Sequence, residues 1–366
     1  MKKQLMTLAG MVVMAGSAQA QNSVTLFGLM DAGVSYVNNE GGKPNTFFDD
    51  GIAVPNLWGL KGYEDLGGGL KTFFELTSQY SLGTGSSLPG AGAEFSRTAL
   101  IGLSSDRFGK LTLGQQYDFM TDALTFNSYD GSFLYGGLYD FRQGPFAKLG
   151  IPDNPTGSFD FDRLAGSSRV ANSVKYTSVN LNGFTFGALY GLGNQAGGGL
   201  SQDSTVSFGA NYEAGNLSLG AAYVEVKYPQ MNNGHDGIRN WGSGARYTLA
   251  GVQFNLLYTN TRNTLTGGAI NVLQAGAYYR VTPAVSIGGK YQYMKGNAQL
   301  DNNRANQIIA ALQYALSKRT SAYVEAVYQR VGGNDAQAWI NGLTGVDGQS
   351  ASNAQFLTRI GVMTRF

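Results

Sequence analysis

The sequence predicts an all-β fold: a closed antiparallel barrel of sixteen membrane-spanning strands, with short turns at one end and long loops at the other. Three observations carry it. Apolar and polar residues alternate along almost the whole chain, and a β-strand sends successive side chains to opposite faces. The alternating runs reach about ten residues, well beyond the common strand length. Their apolar sets tend to end in Tyr or Phe, as aromatic girdles do at a membrane interface. A soluble β-sandwich also alternates, but it gives no reason for long strands, aromatic ends and connections that switch between very short and very long.

Composition agrees. The 366 residues are 43% hydrophobic and 14% charged, with 53 Gly and no Cys, against averages of about 25% charged and 7% Gly. Abundant aromatics and low charge argue against disorder. After residue 20 no apolar run approaches the ~18 residues of a spanning helix. Residues 1–20 have the basic start, apolar middle and Ala18-Gln19-Ala20 ending of a cleaved secretory signal peptide, so 21–366 is expected to be one exported barrel domain. Removing Lys2 and Lys3 from the 26 basic residues leaves as many as the 24 acids, and no basic excess remains to attract nucleic acid. Without Cys, no disulfide holds the exported chain together.

The elements follow in order. Strand 24–37 places Val24, Leu26, Met30, Ala32, Val34 and Tyr36 on one face, and Thr25, Asp31, Gly33 and Ser35 on the other. Strands at 56–65, 69–80, 95–104, 110–117 and 169–180 come next, the parity of 95–104 being ambiguous. Clear alternation resumes at 184–192, 204–213, 216–228, 239–249, 251–262 and 270–280, and continues at 285–296, 304–315, 320–331 and 354–366. In 216–228, Glu225 and Lys227 share the apolar parity, so a bulge or an exit from the membrane is expected there. An even count puts both ends on the side of the short turns. Sixteen strands leave an aqueous channel, and the polar parity faces it.

Residues 118–168 break the pattern, far exceeding the usual connection of about 4–6 residues. The segment holds seven aspartates, three basic residues and nine aromatics between Phe126 and Phe161. The aromatics need a surface, which the barrel interior supplies if the loop folds inward and an external lobe supplies if it does not. Parity puts Lys61, Arg169, Lys175, Arg246 and Lys290 on lumenal faces, and Glu325 among the polar positions. A basic wall facing an acidic loop would focus a transverse field across the bore.

At this point the chain resembles the general porins of Gram-negative outer membranes, β-proteobacterial branch. The segments that carry the likeness are Gln21-Asn-Ser-Val-Thr-Leu-Phe-Gly-Leu-Met-Asp-Ala-Gly-Val, Trp58-Gly-Leu-Lys-Gly-Tyr-Glu-Asp-Leu-Gly, Phe108-Gly-Lys-Leu-Thr-Leu-Gly-Gln-Gln, Arg169-Val-Ala-Asn-Ser-Val-Lys-Tyr-Thr-Ser, Leu316-Ser-Lys-Arg-Thr and the terminal Arg365-Phe366. The resemblance implies a homotrimer in outer-membrane lipid and lipopolysaccharide, with periplasmic turns, external loops and 118–168 as an inward constriction loop. It implies a basic wall of Arg97, Arg169 and Lys61, with Arg97 lumenal, and Asp122 and Asp130 as the loop's acids. Phe366 resembles the signal read by the barrel-assembly machinery. The chain departs from the family in two places: Leu57 stands where many members have Arg, and Gly144-Pro145-Phe146 replaces the Pro-Glu-Phe-Gly of the enteric branch.

Other chemistry is thin. His235 is the single histidine, in a polar loop with no placed serine, and His/Cys metal sites lack ligands. No cofactor, metal or enzymatic activity is expected. The sequence therefore reads as a passive diffusion channel for small hydrophilic solutes and ions, localised in the outer membrane. The alternatives are a substrate-specific channel, or a receptor or adhesin barrel with its lumen shut.

Overall fold

The computed structural model describes residues 23–88, 94–343 and 348–366; the expected signal peptide lies outside them. Eighteen extended segments form one antiparallel sheet that closes on itself. They make sixteen staves, because two staves are interrupted. Strand β1 is Ser23–Glu40, and β2 runs as Lys43–Asp50 and Leu57–Gly67. Strand β3 is Leu70–Tyr80, β4 runs as Ser87–Leu88 and Thr98–Ser105, and β5 is Gly109–Gln116. After the long connection come β6 Val170–Thr177, β7 Phe184–Gly191, β8 Thr205–Ala214, β9 Leu217–Lys227, β10 Gly237–Leu249 and β11 Val252–Asn263. The last five are β12 Ala269–Arg280, β13 Val285–Gly296, β14 Arg304–Ala315, β15 Thr320–Gly332 and β16 Ala354–Arg365.

The alternation sorts as expected for most of the circumference. Val24, Leu26, Phe208, Leu256, Ile308 and Ile360 lie on the outer face, each more than half exposed, which only a hydrocarbon surround tolerates at this density. Closing the sheet pairs every strand edge. The seam joins β1 to β16 from Leu29↔Arg365 to Val37↔Leu357. Phe366 extends it, exchanging backbone hydrogen bonds with Gly28 at 3.2 and 3.1 Å and laying its ring over that glycine, where a Cβ would collide with it.

The differences from expectation are local. The piece Lys43–Asp50 has no alternation and was not anticipated; it pairs with the loop half of β1, while Leu57–Gly67 pairs with the other half. Between them residues 51–56 leave the sheet and turn into the bore. Asp31 holds that excursion: its carboxylate accepts the amides of Ile52 (2.7 Å) and Ala53 (3.1 Å), and its own amide donates to Asn56 at 2.7 Å. The same buried carboxylate takes the Tyr323 hydroxyl at 2.6 Å and Arg359 at 3.1 Å. Strand 95–104 is shorter than predicted. Residues 95–97 bend off because the Ser96 carbonyl is claimed by Arg169 and Gln115, although Arg97 keeps its bond to the Thr77 carbonyl. In β9 the register to β8 and β10 runs unbroken, so Glu225 and Lys227 mark no bulge; Lys227 reaches the Ser201 carbonyl at the loop end.

Candidate functional site

Residues 117–169 fold into the barrel and line its inner wall from β7 round to β14, meeting β1 and β2 at the far side. The wall is shaped to receive them. Gly187 and Gly209 face the Phe119 ring, Gly220 and Gly244 face Tyr129, and Gly276 and Gly288 face Tyr135. A side chain at any of the six would collide with one of these aromatic side chains, so part of the high glycine content is a furrow for the loop. Six of the nine aromatics from Phe126 to Phe161 are almost fully buried, as is Phe119 before them. Wall side chains then satisfy the loop backbone. Ser207 accepts the Phe119 amide at 3.0 Å, Asn240 donates to the Phe161 carbonyl at 2.7 Å, and Gln292 to the Asp140 carbonyl at 2.6 Å. Placing valine at Gly244, whose Cβ would lie 2.6 Å from that of Tyr129, should cost about 1–3 kcal/mol of loop docking. Limited proteolysis reads this as new cleavage within 118–168 while the barrel stays intact.

A buried charge cluster anchors the loop. Arg142 pairs with Asp130 and, at 3.5 Å, with Asp162. Lys290 of β13 reaches Asp140 at 2.7 Å, Asp130 at 3.1 Å and the Ser132 hydroxyl at 2.8 Å. All five charged side chains are sealed from solvent. Burial pushes the Asp130 carboxyl up, but Arg142 and Lys290 outweigh it and hold it down, at about 2. Burial, with Asp130 beside it, leaves Asp140 raised to about 6 despite Lys290. Asp160, buried and close to Asp162, is raised to about 7, although the amides of Ala165 and Ser167 and the Ser167 hydroxyl all donate to it.

The opposite arc, from the short-turn half of β1 round to β6, is largely uncovered. There Arg97 and Arg169 stand side by side. Arg97 donates to Gln79 (2.7 Å), the Tyr117 hydroxyl (3.2 Å) and the Gly166 carbonyl (3.0 Å). Arg169 donates to the carbonyls of Ser96, Gly166 and Ser167 at 2.7–3.0 Å. Among the described residues neither guanidinium forms an ion pair. Two cavities, of about 620 and 370 Å³, flank this point on the short-turn and long-loop sides, and Pro55, Arg97, Phe133 and Ala165 line both. These four mark the neck between them.

The sequence-derived candidates separate accordingly. Arg97 lies at the neck, Arg169 on the loop side, and Lys175, paired with Asp122, lines the larger cavity. Lys61 is exposed on the same wall, its ammonium 5.1 Å from the centre of the Phe27 ring. Arg246 is lumenal and half-buried, donating to the Asn127 carbonyl and to Glu213. Asp130 does not face the neck; it is consumed in the anchor. Lys290 and Glu325 keep the lumenal parity, but the loop covers them. Both Glu325 oxygens lack a hydrogen-bond partner among the described residues. Sequence reasoning missed Arg142 and the glycine furrow, because neither has a periodic signature. It also passed over Phe27 and Leu29, which fall on the parity of Thr25 and Asp31 and so point inward.

Residues 7–334 match the family described as Gram-negative porin. The chain is 30% identical to outer membrane porin protein 32 of Delftia acidovorans, over 88% of each chain. It is 28% identical to the major outer membrane protein P.IB of Neisseria meningitidis serogroup A, over 91% of this chain and 94% of that one. Among solved structures, an anion-selective porin from Comamonas acidovorans superposes with a TM-score of 0.76 at 24% identity, covering 94% of this chain and 100% of the other. The trimer form of OmpT from Vibrio cholerae shares the fold, with a TM-score of 0.63 at 13% identity over 94% and 99%. With the family match running through the first fifteen staves, and a closed sixteen-stave sheet enclosing a lumen, the chain belongs to the Gram-negative porin family, as a non-enzymatic general diffusion channel of the outer membrane.

Proposed function

We propose that the neck between the docked loop and the β2–β6 wall is the channel's constriction and that it favours anions. One observation carries the reading: Arg97 and Arg169 meet carbonyls but no carboxylate, whereas five of the loop's seven aspartates are taken up by cations. Asp118 pairs with Arg163 and Asp122 with Lys175; Asp130, Asp140 and Asp162 belong to the anchor. In a low-dielectric neck, two unpaired guanidiniums set the sign of the field. A relative of the same fold described as anion-selective supports it. Under a tenfold KCl gradient the reversal potential should have the sign of chloride preference; a cation-preferring potential sinks the reading. Periplasmic turns, external loops and a working unit of three barrels in lipid and lipopolysaccharide complete the proposal, with Phe366 as the mark read by the assembly machinery. Typical trimerisation in the family and the trimer form of a fold relative support the stoichiometry.

The anchor makes docking pH-dependent in a definite direction. Asp130 is depressed, so its contribution is complete above the free carboxylate value and disappears as pH falls toward 2. Asp140 and Asp160 are raised, so they take up protons on docking and favour the docked loop increasingly from about pH 7 downward. The loop should therefore stay docked on mild acidification and loosen only below about pH 4. Single-channel conductance followed from neutral to pH 3 checks this; a stepwise opening at pH 5–6 contradicts it.

A further inference from the structure

The cavity on the periplasmic side of the neck is unlike a solvated bore. Its wall carries Phe27, Leu29, Leu57, Phe73 and Leu100, all on lumenal parity and all on the arc that the loop leaves bare. From the loop side Phe126 projects into it, 54% exposed, held edge-on against Tyr117 with ring centres 5.4 Å apart. None of these side chains is needed to seat the loop, which docks on the opposite wall. The wall rings are held flat: a Cβ at Gly59 would strike the Phe27 ring, and one at Gly102 the Phe73 ring. The apolar surface is thus kept open toward the solute path. Cations stand beside it: Arg97, Lys110 and Lys175 line the cavity, and Lys61 sits at the Phe27 ring. Against them stand the carboxylates Glu75 and Asp122, the latter already paired.

Apolar patches beside unpaired cations recognise one kind of molecule: a solute with a flat apolar body and a negative end. We propose that this cavity is a transient binding subsite for aromatic monocarboxylates on their way through the channel. The ring lies against the apolar wall at Phe27, with Phe73 further along the same wall, while the carboxylate meets the Arg97 side of the cavity, and its roughly 620 Å³ leaves ample room for one such solute. Binding in a channel must be weak enough to release, and a cavity open to the bore provides that. The inference deepens the diffusion-channel reading and rests on it.

The test is single-channel KCl conductance of the mature protein in a planar bilayer, titrated with benzoate, acetate and benzamide. Benzoate should reduce the current saturably at concentrations where acetate and benzamide do not, because each control lacks one half of the recognition. The Phe27→Ser/Phe73→Ser variant should raise the half-blocking benzoate concentration about tenfold, with KCl conductance and the sign of selectivity kept. Phe126→Ser, on the loop, is the second variant should the wall pair fail to fold, and it should shift the block in the same direction. An open channel that benzoate blocks no better than acetate overturns the subsite alone. Block unchanged in both variants overturns it too. A folded barrel that conducts no KCl removes the diffusion-channel reading together with the subsite.

Discussion

Replacing Arg97 and Arg169 together by glutamate should reverse the sign of the reversal potential in a KCl gradient. Neither guanidinium forms an ion pair among the described residues, and the double exchange turns two positive charges into two negative ones at the proposed constriction. Salt decides how visible this is. The Debye length is about 10 Å at 0.1 M and about 3 Å at 1 M, so reversal should be complete at low salt and muted at molar salt. Arg97→Gln/Arg169→Gln separates charge from geometry: glutamine still offers N–H groups to the Gly166 and Ser96 carbonyls, so anion preference should fall without reversing. Selectivity that stays anionic in the glutamate pair would place the controlling charge elsewhere, with Lys110 and Lys61 next in line.

Asp130→Ala should unseat the loop. The substitution leaves Arg142 and Lys290, both fully buried, each with one fewer counter-charge, and breaking a buried pair costs about 3 kcal/mol at the low end of what is measured. Asp162 and Asp140 remain as partial partners, which argues for that low end. An effect of this size raises the undocked population roughly a hundredfold. Flickering between two conductance levels and protease sensitivity within 118–168 should appear together. Because the sheet's own ladder is untouched, the barrel should keep its resistance to heat and detergent. A quiet channel with wild-type conductance would mean that the glycine furrow alone holds the loop.

These two outcomes divide what the sequence made visible from what it hid. Strand positions were legible because period-two alternation is a local property with a direct physical cause, a face in lipid and a face in water. Lys43–Asp50 was not legible: its outer half lies beyond the apolar band, where nothing forces alternation. That most of the loop's aromatics need a covering surface was legible. Their destination was hidden, since the six furrow glycines come from separate strands and align only in the closed sheet. Arg97 and Arg169 stand side by side on the uncovered arc, as their motifs led one to look for, and their part in a constriction is a proposal. Asp130 had the right sign of charge and the wrong neighbours, because Arg142 and Lys290 lie 12 and 160 residues away and their convergence is a tertiary event. Phe27 and Leu29 were readable in principle as apolar residues on a polar parity.

Asp31 gives the barrel an order of completion. Its carboxylate is bonded to Arg359, 328 positions further along the chain, and in the same arrangement to the amides of Ile52 and Ala53, three and two residues from Pro55 at the neck. Until the last strand is in place, the buried carboxylate that holds the excursion lacks its Arg359 counter-charge. The first and last staves are therefore not only a lock on the wall; meeting, they cast the opening. The shape of the passage is thereby tied to the closure that joins the two ends of the chain.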